Sequence, residues 1–375
     1  MALVRRGRRS WAPRAALAAA ALCSSFLLLV DGAAAVLDRM PSAGRMTKAV
    51  VSAPASSGEG LRPLVGILTQ PTSSDDPTPY IAASYVKFVE MGGARAVPVF
   101  HNGSSGDLAA QFSSINGLIL PGGGSDVAKG SSLRVAAETL LALAVEANVA
   151  GDVFPVHGTC LGFELLALMI TQDDGVLSKF DAEDFASELT PSGGQWAAGS
   201  RLFSRAAASL LARAADVSQA PLAMENHRAG LAPGEFAKYA ALAVNWTLLT
   251  TSKDRAGASY VSSMEHKALP FSGTQWHPEK AAFEWTTEQH IPHSAEAIAL
   301  TQAIANYLVD NARLSHHRPP SVAAERAMIF ANYVPTFTAV YKEKAAKVAY
   351  AEARRLGRTL AQANDENLFD QMYFF

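Results

Sequence analysis

Cysteine is nearly absent from this chain, which has two in 375 residues, Cys23 and Cys160. Cys23 lies in an apolar stretch near the N-terminus that we expect to be cleaved off. One thiol then remains, so no internal disulfide forms, and a cysteine-rich zinc site is excluded as well. A lone thiol of this kind is a candidate reactive group.

Charge and long apolar runs are also scarce. Charged residues make up 18% of the chain, the formal net charge is −2, and no long basic run follows the N-terminal region. Nothing in this pattern indicates nucleic-acid binding. After the first 35 residues, no apolar run approaches the ~20 residues of a membrane-spanning helix. The histidine spacings match no zinc motif, so we predict neither a metal nor a cofactor.

The N-terminal region has the three parts of a secretory signal peptide. Several arginines precede the apolar run Ala15–Val30, and Ala33–Ala35 offers small residues for cleavage. We therefore predict a signal peptide over residues 1–35 and a linker or pro-segment, rich in Ala, Ser, Gly and Pro, over residues 36–62. A transmembrane anchor is the alternative, but the apolar run is short for one.

Strand and helix patterns alternate over residues 63–313. The apolar runs LVGILTQ, ARAVPVF and GLILPGGG are typical of buried strands, and helical patterns separate them. This alternation predicts an α/β fold with a doubly wound, mostly parallel sheet flanked by helices. We assign residues 63–313 to one domain and residues 314–375 to a C-terminal extension with an aromatic end, MYFF.

The stretch Val153–Thr171 has the strand–turn–helix pattern of a nucleophile elbow, with Cys160 at the tip. We expect Gly158 to permit the sharp turn and Gly162 to let the helix pack closely. Because a helix N-terminus favours an anion, we also expect a lowered pKa for the Cys160 thiol. A buried structural cysteine is the alternative interpretation.

Three further features fit a cysteine nucleophile. His277 follows a predicted strand, and Glu279 lies two residues on, where an extended backbone would place both side chains on one side. Glu279 would then orient the imidazole as a general base for the thiol. The glycine loop over residues 121–124 and the N–H of Leu161 could donate hydrogen bonds to an oxyanion. Each signal alone is weak, and together they indicate acyl transfer.

The sequence resembles class I glutamine amidotransferase-like proteins, and among them the γ-glutamyl hydrolases that trim folate polyglutamates, in particular plant-type members. The resemblance covers roughly residues 63–313. It rests on these motifs: VGILTQP, YIAASYVKFVE, LILPGGG, GTCLGFELL, ENHR, TQWHPEKAAFEW and IPHS.

The resemblance implies a role for each matching residue. Cys160 would be the nucleophile and His277 the acid and base, with Glu279 orienting His277. The amides of Gly123 and Leu161 would form the oxyanion hole, and His227 would lie in the active-site cleft. The implied reaction is hydrolysis of γ-glutamyl isopeptide bonds of folyl- or antifolate-polyglutamates through an acyl-thioester, without metal or cofactor.

The substrate and cellular setting follow as expectations. A pteroyl-polyglutamate is acidic, and Arg228 is a candidate cation for it, with Lys280 and Lys87 as others. A homodimer is plausible from the resemblance. The leader, with acceptor triplets for N-glycosylation at Asn102 and Asn245, favours the secretory pathway, ending in a vacuole, a lysosome or the extracellular space.

Three other functions compete with this one. A hydrolase of other γ-glutamyl peptides cannot be separated from it by sequence. A glutaminase-type amidotransferase needs a synthase partner and is normally cytosolic, which the predicted leader disfavours. A binding protein on the same fold would typically have lost the nucleophile or the base, whereas both are present here.

Overall fold

The computed structural model describes residues 62–72, 77–197, 199–338 and 369–375. The predicted signal peptide and, apart from Arg62, the predicted linker lie outside the described residues. The strands, in chain order, are β1 Leu64–Leu68, β2 Gln70–Pro71, β3 Pro79–Ala82, β4 Arg95–Val99, β5 Gly117–Leu120, β6 Val156–Thr159, β7 Leu177–Ser187, β8 Thr190–Pro191, β9 Ala223–Leu231, β10 Trp246–Lys253, β11 Ser259–His266, β12 Phe271–Thr274, β13 Thr336–Phe337 and β14 Gln371–Phe374.

The helices alternate with the strands over the first half of the described chain. They are α1 Ala83–Met91, α2 Ser105–Phe112, α3 Ser132–Val149, α4 Leu161–Thr171, α5 Ala208–Ala214, α6 Pro233–Lys238, α7 Ala240–Asn245, α8 Lys280–Phe283, α9 Ala295–Ala312 and α10 Val322–Met328. The side chains of Ser131 and Ser294 cap α3 and α9 by accepting an N–H of the first turn. None of these helices is long and apolar enough to cross a membrane.

The central sheet has the strand order β4-β1-β5-β6-β12-β11-β10-β8. The first five of these strands pair in parallel, and the last three join antiparallel at one edge. Strands β1, β5, β6 and β12 are buried along their whole length, as expected where helices cover both faces. Helix α1 packs on α9, and α3 packs on α2 and α4. The predicted α/β class with a mostly parallel sheet is confirmed.

The carboxyl ends of the parallel strands carry the residues that the sequence singled out. Gln70 follows β1 after one residue, the glycine loop follows β5, Cys160 follows β6, and His277 lies just beyond β12. In an open parallel sheet these ends meet along one edge, where ligands bind. Strands β7 and β9 form an antiparallel ribbon that also reaches this edge, because the Met224 carbonyl accepts the His277 N–H at 2.8 Å.

Two glycines allow α4 to lie directly against the sheet. A Cβ at Gly162 would be 1.9 Å from the carbonyl oxygen of Leu120 in β5. A Cβ at Gly158 would be 2.5 Å from the Gly162 carbonyl oxygen. Both contacts are with backbone, which cannot rotate away. The expected close packing at Gly162 is therefore present, whereas Gly158 is required for space, since the left-handed residue of the turn is Cys160 itself.

We expect Gly162→Ala to lower the free energy of unfolding by about 3 kcal/mol or more, because its methyl group would overlap the Leu120 carbonyl. Denaturant unfolding of the full chain would measure this. Gly234→Ala in α6 is the matched control. No atom lies within 4 Å of the added Cβ there, so it should be neutral or stabilising by up to about 1 kcal/mol. Equal stability of the two variants would contradict the packing argument.

Candidate active site

Cys160 occupies a strained turn between β6 and α4. Its backbone has φ 50° and ψ −108°, outside the regions that side-chain-bearing residues normally adopt. Such a conformation costs on the order of 1–3 kcal/mol and persists only where the surroundings enforce it. Here the Cys160 N–H donates to the Thr274 carbonyl of β12 at 2.8 Å, and the Cys160 carbonyl accepts the Glu164 N–H at 2.9 Å. The predicted elbow is therefore present, with the cysteine at its tip.

The thiol of Cys160 is buried, with 4% of the residue exposed. Its Sγ donates a hydrogen bond to the Asn226 carbonyl at 3.7 Å. Burial raises the pKa of the thiol well above its ordinary value, and the carboxylates of Glu164 and Glu279 raise it further. Lys280 and the Leu161 N–H act in the opposite direction but do not compensate. The expectation of a lowered pKa was therefore wrong for the resting protein, because desolvation exceeds the effect of the helix N-terminus.

His277 and Glu279 lie in a turn. The Nδ1 atom of His277 is 2.7 Å from Oε1 of Glu279, and both side chains are buried. Glu279 has helical dihedrals (φ −72°, ψ −22°), so the expected extended backbone is not what brings the pair together. Instead the chain turns at Pro278, whose carbonyl accepts the Thr301 hydroxyl of α9 at 2.6 Å. The turn thereby fixes the carboxylate beside the ring.

The protonation states follow from burial and from this contact. Burial lowers the pKa of His277, and Glu279 opposes the shift only in part. For Glu279, burial favours the neutral form, but His277 and Lys280 outweigh it and hold its pKa below the ordinary value. A neutral imidazole whose Nδ1–H donates to the carboxylate has a free lone pair on Nε2. That atom is buried and has no hydrogen-bond partner among the described residues.

Gly122 lies between the thiol and the imidazole. A Cβ added there would be 2.7 Å from Cε1 of His277, 3.1 Å from Cβ of Cys160 and 2.8 Å from the Tyr85 hydroxyl. The two side chains therefore border the same small space, and only a glycine leaves that space open. Cys160 and His277 are more than a hundred residues apart in sequence, and β6 and β12 bring them together as parallel neighbours.

The glycine loop is fixed by two polar side chains. The amide nitrogen of Gln70 donates to the carbonyls of Pro121 and Gly122, each at 3.1 Å. The Tyr85 hydroxyl accepts the Gly122 N–H at 2.7 Å. These bonds occupy backbone groups of Pro121 and Gly122, which precede the Gly123 N–H. A Cβ at Gly123 would be 2.0 Å from Oε1 of Gln70, so a side chain there would displace the amide that holds the loop.

Two further predicted site residues, Leu161 on the elbow and His227 on β9, are buried. The Leu161 N–H faces the Cys160 sulfur and lowers the pKa of the thiol. His227 has Nδ1 2.8 Å from the Ala229 carbonyl and Nε2 3.2 Å from Oε2 of Glu225. Burial alone would lower the pKa of His227, but Glu225 and Glu164 raise it overall. The raised pKa favours the protonated form of His227, and both of its ring nitrogens lie near protein oxygen atoms.

The candidate cations for an acidic substrate differ in exposure. Arg228 points out of β9 to the solvent, and its guanidinium is 2.5 Å from Oε2 of Glu183. Lys280 is buried, and its Nζ donates to Oε1 of Gln289 at 2.8 Å. The structure therefore brings Lys280, but not the Arg228 guanidinium, close to the thiol and the imidazole.

Three residues near the site were missed by the sequence analysis. Gln70 and Tyr85 hold the glycine loop, and Glu164 is a buried carboxyl one helical turn after Cys160. Burial raises the pKa of Glu164 to about 7, although His227 and a hydrogen bond from Gln275 oppose the shift. Gln70 had a usable signal, since it is a polar residue at the carboxyl end of a buried strand. Nothing in the sequence distinguished Tyr85 from a core residue.

Comparison with known proteins gives one consistent result. The profile of a family described as Peptidase C26 matches residues 63–279. Gamma-glutamyl hydrolase 1 of Arabidopsis thaliana is 41% identical over 283 residues, which cover 74% of this chain and 79% of the relative. The gamma-glutamyl hydrolase of Homo sapiens is 35% identical, and the match covers 74% of this chain and 86% of the relative. Gamma-glutamyl hydrolase B of Dictyostelium discoideum is 32% identical, and the match covers 83% of this chain and 89% of the relative.

The raised pKa of the thiol predicts slow alkylation of Cys160 at neutral pH, because the thiolate is the form that reacts. We expect iodoacetamide to modify Cys160 more slowly at pH 7 than it modifies free cysteine, with a rate that climbs into the alkaline range. Peptide mass mapping of the full chain would follow Cys160 separately from Cys23. Rapid alkylation at pH 6 would contradict the neutral resting thiol.

Proposed function

Because this chain belongs to the Peptidase C26 family of γ-glutamyl hydrolases, we propose that it hydrolyses γ-glutamyl isopeptide bonds of folyl- or antifolate-polyglutamates, with Cys160 as the nucleophile. One observation carries the proposal. The strained elbow places Cys160, through its Cβ, beside the space that the His277 imidazole also borders, and Glu279 is hydrogen-bonded to the far side of that ring. This is the order of nucleophile, base and orienting carboxylate that acyl transfer requires.

In the first half of the proposed reaction, Nε2 of His277 accepts the proton of the Cys160 thiol. Sγ then bonds to the γ-carbonyl carbon of the substrate, and the carbonyl oxygen becomes an oxyanion. The N–H groups of Gly123 and Leu161 would donate to that oxygen. When the oxyanion collapses, the carbon–nitrogen bond breaks and His277 returns the proton to the leaving amine. Glu279 stabilises the imidazolium between these two proton transfers.

The second half of the reaction releases the acyl group. A water molecule gives a proton to Nε2 of His277 and bonds to the thioester carbon. The carbon–sulfur bond then breaks, and His277 returns the proton to the sulfur. The thiol and the neutral imidazole are restored, so the cycle balances without a metal or a cofactor.

An acidic substrate calls for an exposed cation, because the buried groups around Cys160 include the carboxyl groups of Glu164, Glu225 and Glu279. Arg228 is the exposed cation of the same strand as His227, and we propose that it attracts distal carboxylates of a pteroyl-polyglutamate. An exposed charge of this kind contributes modestly, so its expected effect is on KM.

We also propose entry into the secretory pathway, with a vacuole, a lysosome or the extracellular space as the destination, and assembly as a homodimer. The leader composition supports the first, and Asn102 is an exposed residue within its acceptor triplet. Deglycosylation of protein made in a eukaryotic host would test the routing by a mass shift. Light scattering of the mature protein would test the dimer.

Replacing the nucleophile tests the proposal most directly. We expect Cys160→Ala to lower glutamate release from pteroyl-polyglutamate by about a thousandfold or more, because no other group can form the acyl intermediate. Chromatography of the released products would measure it. Equal turnover by both proteins would exclude Cys160 as nucleophile. Turnover of other γ-glutamyl peptides alone would identify a different substrate class.

Glu279→Gln should keep the geometry of the turn but remove the charge that stabilises the imidazolium. We expect kcat to fall roughly a hundredfold to ten-thousandfold while KM changes little. Glu296→Gln, an exposed carboxylate in the first turn of α9, is the control and should leave kcat unchanged. A Glu279→Gln enzyme with wild-type kcat would rule out the orienting role.

A further inference from the structure

The end of the chain packs on the domain as a short strand, which we call the C-terminal segment, Phe369–Phe375. Strand β14 pairs antiparallel with β3, which leads into α1. The Phe375 N–H donates to the Pro79 carbonyl at 3.0 Å. β3 also carries Tyr80, whose hydroxyl donates to Oε1 of Gln70 at 3.3 Å. One end of the C-terminal segment is thus tied to the elements that hold the glycine loop.

The other end of the C-terminal segment contacts the residues that follow His277 and Glu279. The Asp370 N–H donates to Oε2 of Glu284 at 2.6 Å, and Oδ2 of Asp370 accepts the Trp285 N–H at 3.0 Å. The ring of Phe369, itself 2% exposed, lies against the Lys280 ammonium, with Nζ 5.0 Å from the ring centroid. An aromatic face at this distance stabilises a cation, and more so when the pair is desolvated.

Lys280 lies at the centre of several charged or polar groups from different elements. Its Nζ donates to Oε1 of Gln289, and Phe369 covers it from the C-terminal segment. The titratable groups that face it are Glu279 in the preceding turn, Glu284 at the end of α8, Asp184 on β7 and the Cys160 thiol, with Asp370 beyond Glu284. Burial has the largest effect and lowers the pKa of Lys280 overall, while these carboxylates favour the ammonium and oppose that shift. The aromatic ring and the amide oxygen therefore help to keep the charge in place.

The position of this ammonium matters to the groups of the proposed mechanism. Lys280 acts on Cys160, His277 and Glu279 alike, and in each case it lowers the pKa. For Cys160, this makes the thiolate easier to form. For His277, it keeps the imidazole neutral and able to accept a proton. An ammonium displaced toward solvent would lose both effects, since a charge interaction weakens with distance and hydration.

We propose that Phe369 is a positioning residue that holds the Lys280 ammonium beside Cys160 and Glu279, so that the C-terminal segment completes the active site. The proposal rests on the proposed function for its kinetic consequence, but its effect on the thiol can be measured without turnover. The C-terminal segment would then contribute to the electrostatics of a site whose nucleophile, Cys160, lies more than two hundred residues earlier in the sequence.

Phe369→Leu keeps an apolar side chain and removes the aromatic face. We expect the pH midpoint of Cys160 alkylation by iodoacetamide to rise by about half a unit to one unit, because the thiolate loses a nearby cation. On pteroyl-polyglutamate, kcat should fall about three- to tenfold with KM within about twofold. Both are measured on the full chain, with Cys160 followed by peptide mass mapping.

Two further variants separate this effect from a loss of stability. Gln289→Met removes the oxygen that accepts from Nζ at a half-buried loop position, and it should move the alkylation midpoint in the same direction. Phe112→Leu is the matched control. It shortens a buried phenylalanine that packs on Phe154 and His317, and it should leave the midpoint unchanged.

The alkylation midpoints and the turnover rates test the positioning role and the proposed function separately. A raised midpoint in Phe369→Leu and Gln289→Met, with Phe112→Leu like wild type, supports the positioning role. This holds even if none of the proteins turns over a γ-glutamyl substrate. A lack of turnover in all of them, wild type included, would contradict the proposed function but not the positioning role. Wild-type midpoints and kcat in both Phe369→Leu and Gln289→Met would overturn the positioning role. An equal shift in Phe112→Leu would also overturn it. If Phe369→Leu fails to fold, Phe369→Met, which also lacks an aromatic face, takes its place and should raise the midpoint in the same way.

Discussion

The contact between α4 and the carbonyl of Leu120 is the constraint on which the rest of the site depends. The helix can approach β5 this closely only because Gly162 has no side chain. With α4 so placed, the residue between β6 and α4 must turn through a left-handed conformation, and that residue is Cys160. The strain is sustained by backbone hydrogen bonds to a neighbouring strand and to the helix. Packing of the scaffold therefore determines where the sulfur lies.

The protonation states in the site depend on how deeply its ionisable groups are buried. Four carboxyl groups lie in or beside the site, Glu164, Glu225, Glu279 and Glu284, and all are buried. The basic side chains of Lys280 and His227 lie among them, and Coulomb interactions are stronger here than in water. This balance leaves Cys160 as a thiol and His277 as a neutral base. In the proposed mechanism, the ion pair arises by proton transfer from the Cys160 thiol to Nε2 of His277 inside the site.

Much of this arrangement could be predicted from the sequence, because it is encoded locally. The strands and helices of residues 63–171 follow apolar periodicity, and the serine caps of α3 and α9 mark where those helices begin. The elbow, the glycine loop and the His277–Glu279 contact are short motifs whose spacing carries their geometry. Parallel strand pairing then brings them to one edge.

What could not be predicted depends on burial and on distant pairing. The expected pKa of Cys160 had the wrong sign because a helix N-terminus is visible in a sequence, whereas the desolvation of a side chain is not. The dihedral angles of Glu279 show that a correct contact can have a different cause from the one inferred. The long strands β7 and β9 carry polar residues at buried and half-buried positions, which obscured the alternation of apolar and polar residues. The pairing of β14 with β3 joins opposite ends of the described chain, and no local pattern reports it.

The burial of Cys160 also bears on the durability of the protein. Peroxides convert cysteine to sulfenic acid and then to irreversible higher oxides, and they do so by way of an accessible thiolate. A thiol that is 4% exposed and carries its proton at rest presents little of that form. In a secretory or vacuolar setting, where reducing partners are scarce, a sulfur that becomes anionic only during turnover would remain intact between encounters with substrate. The same desolvation that makes the resting group unreactive therefore protects it from oxidation.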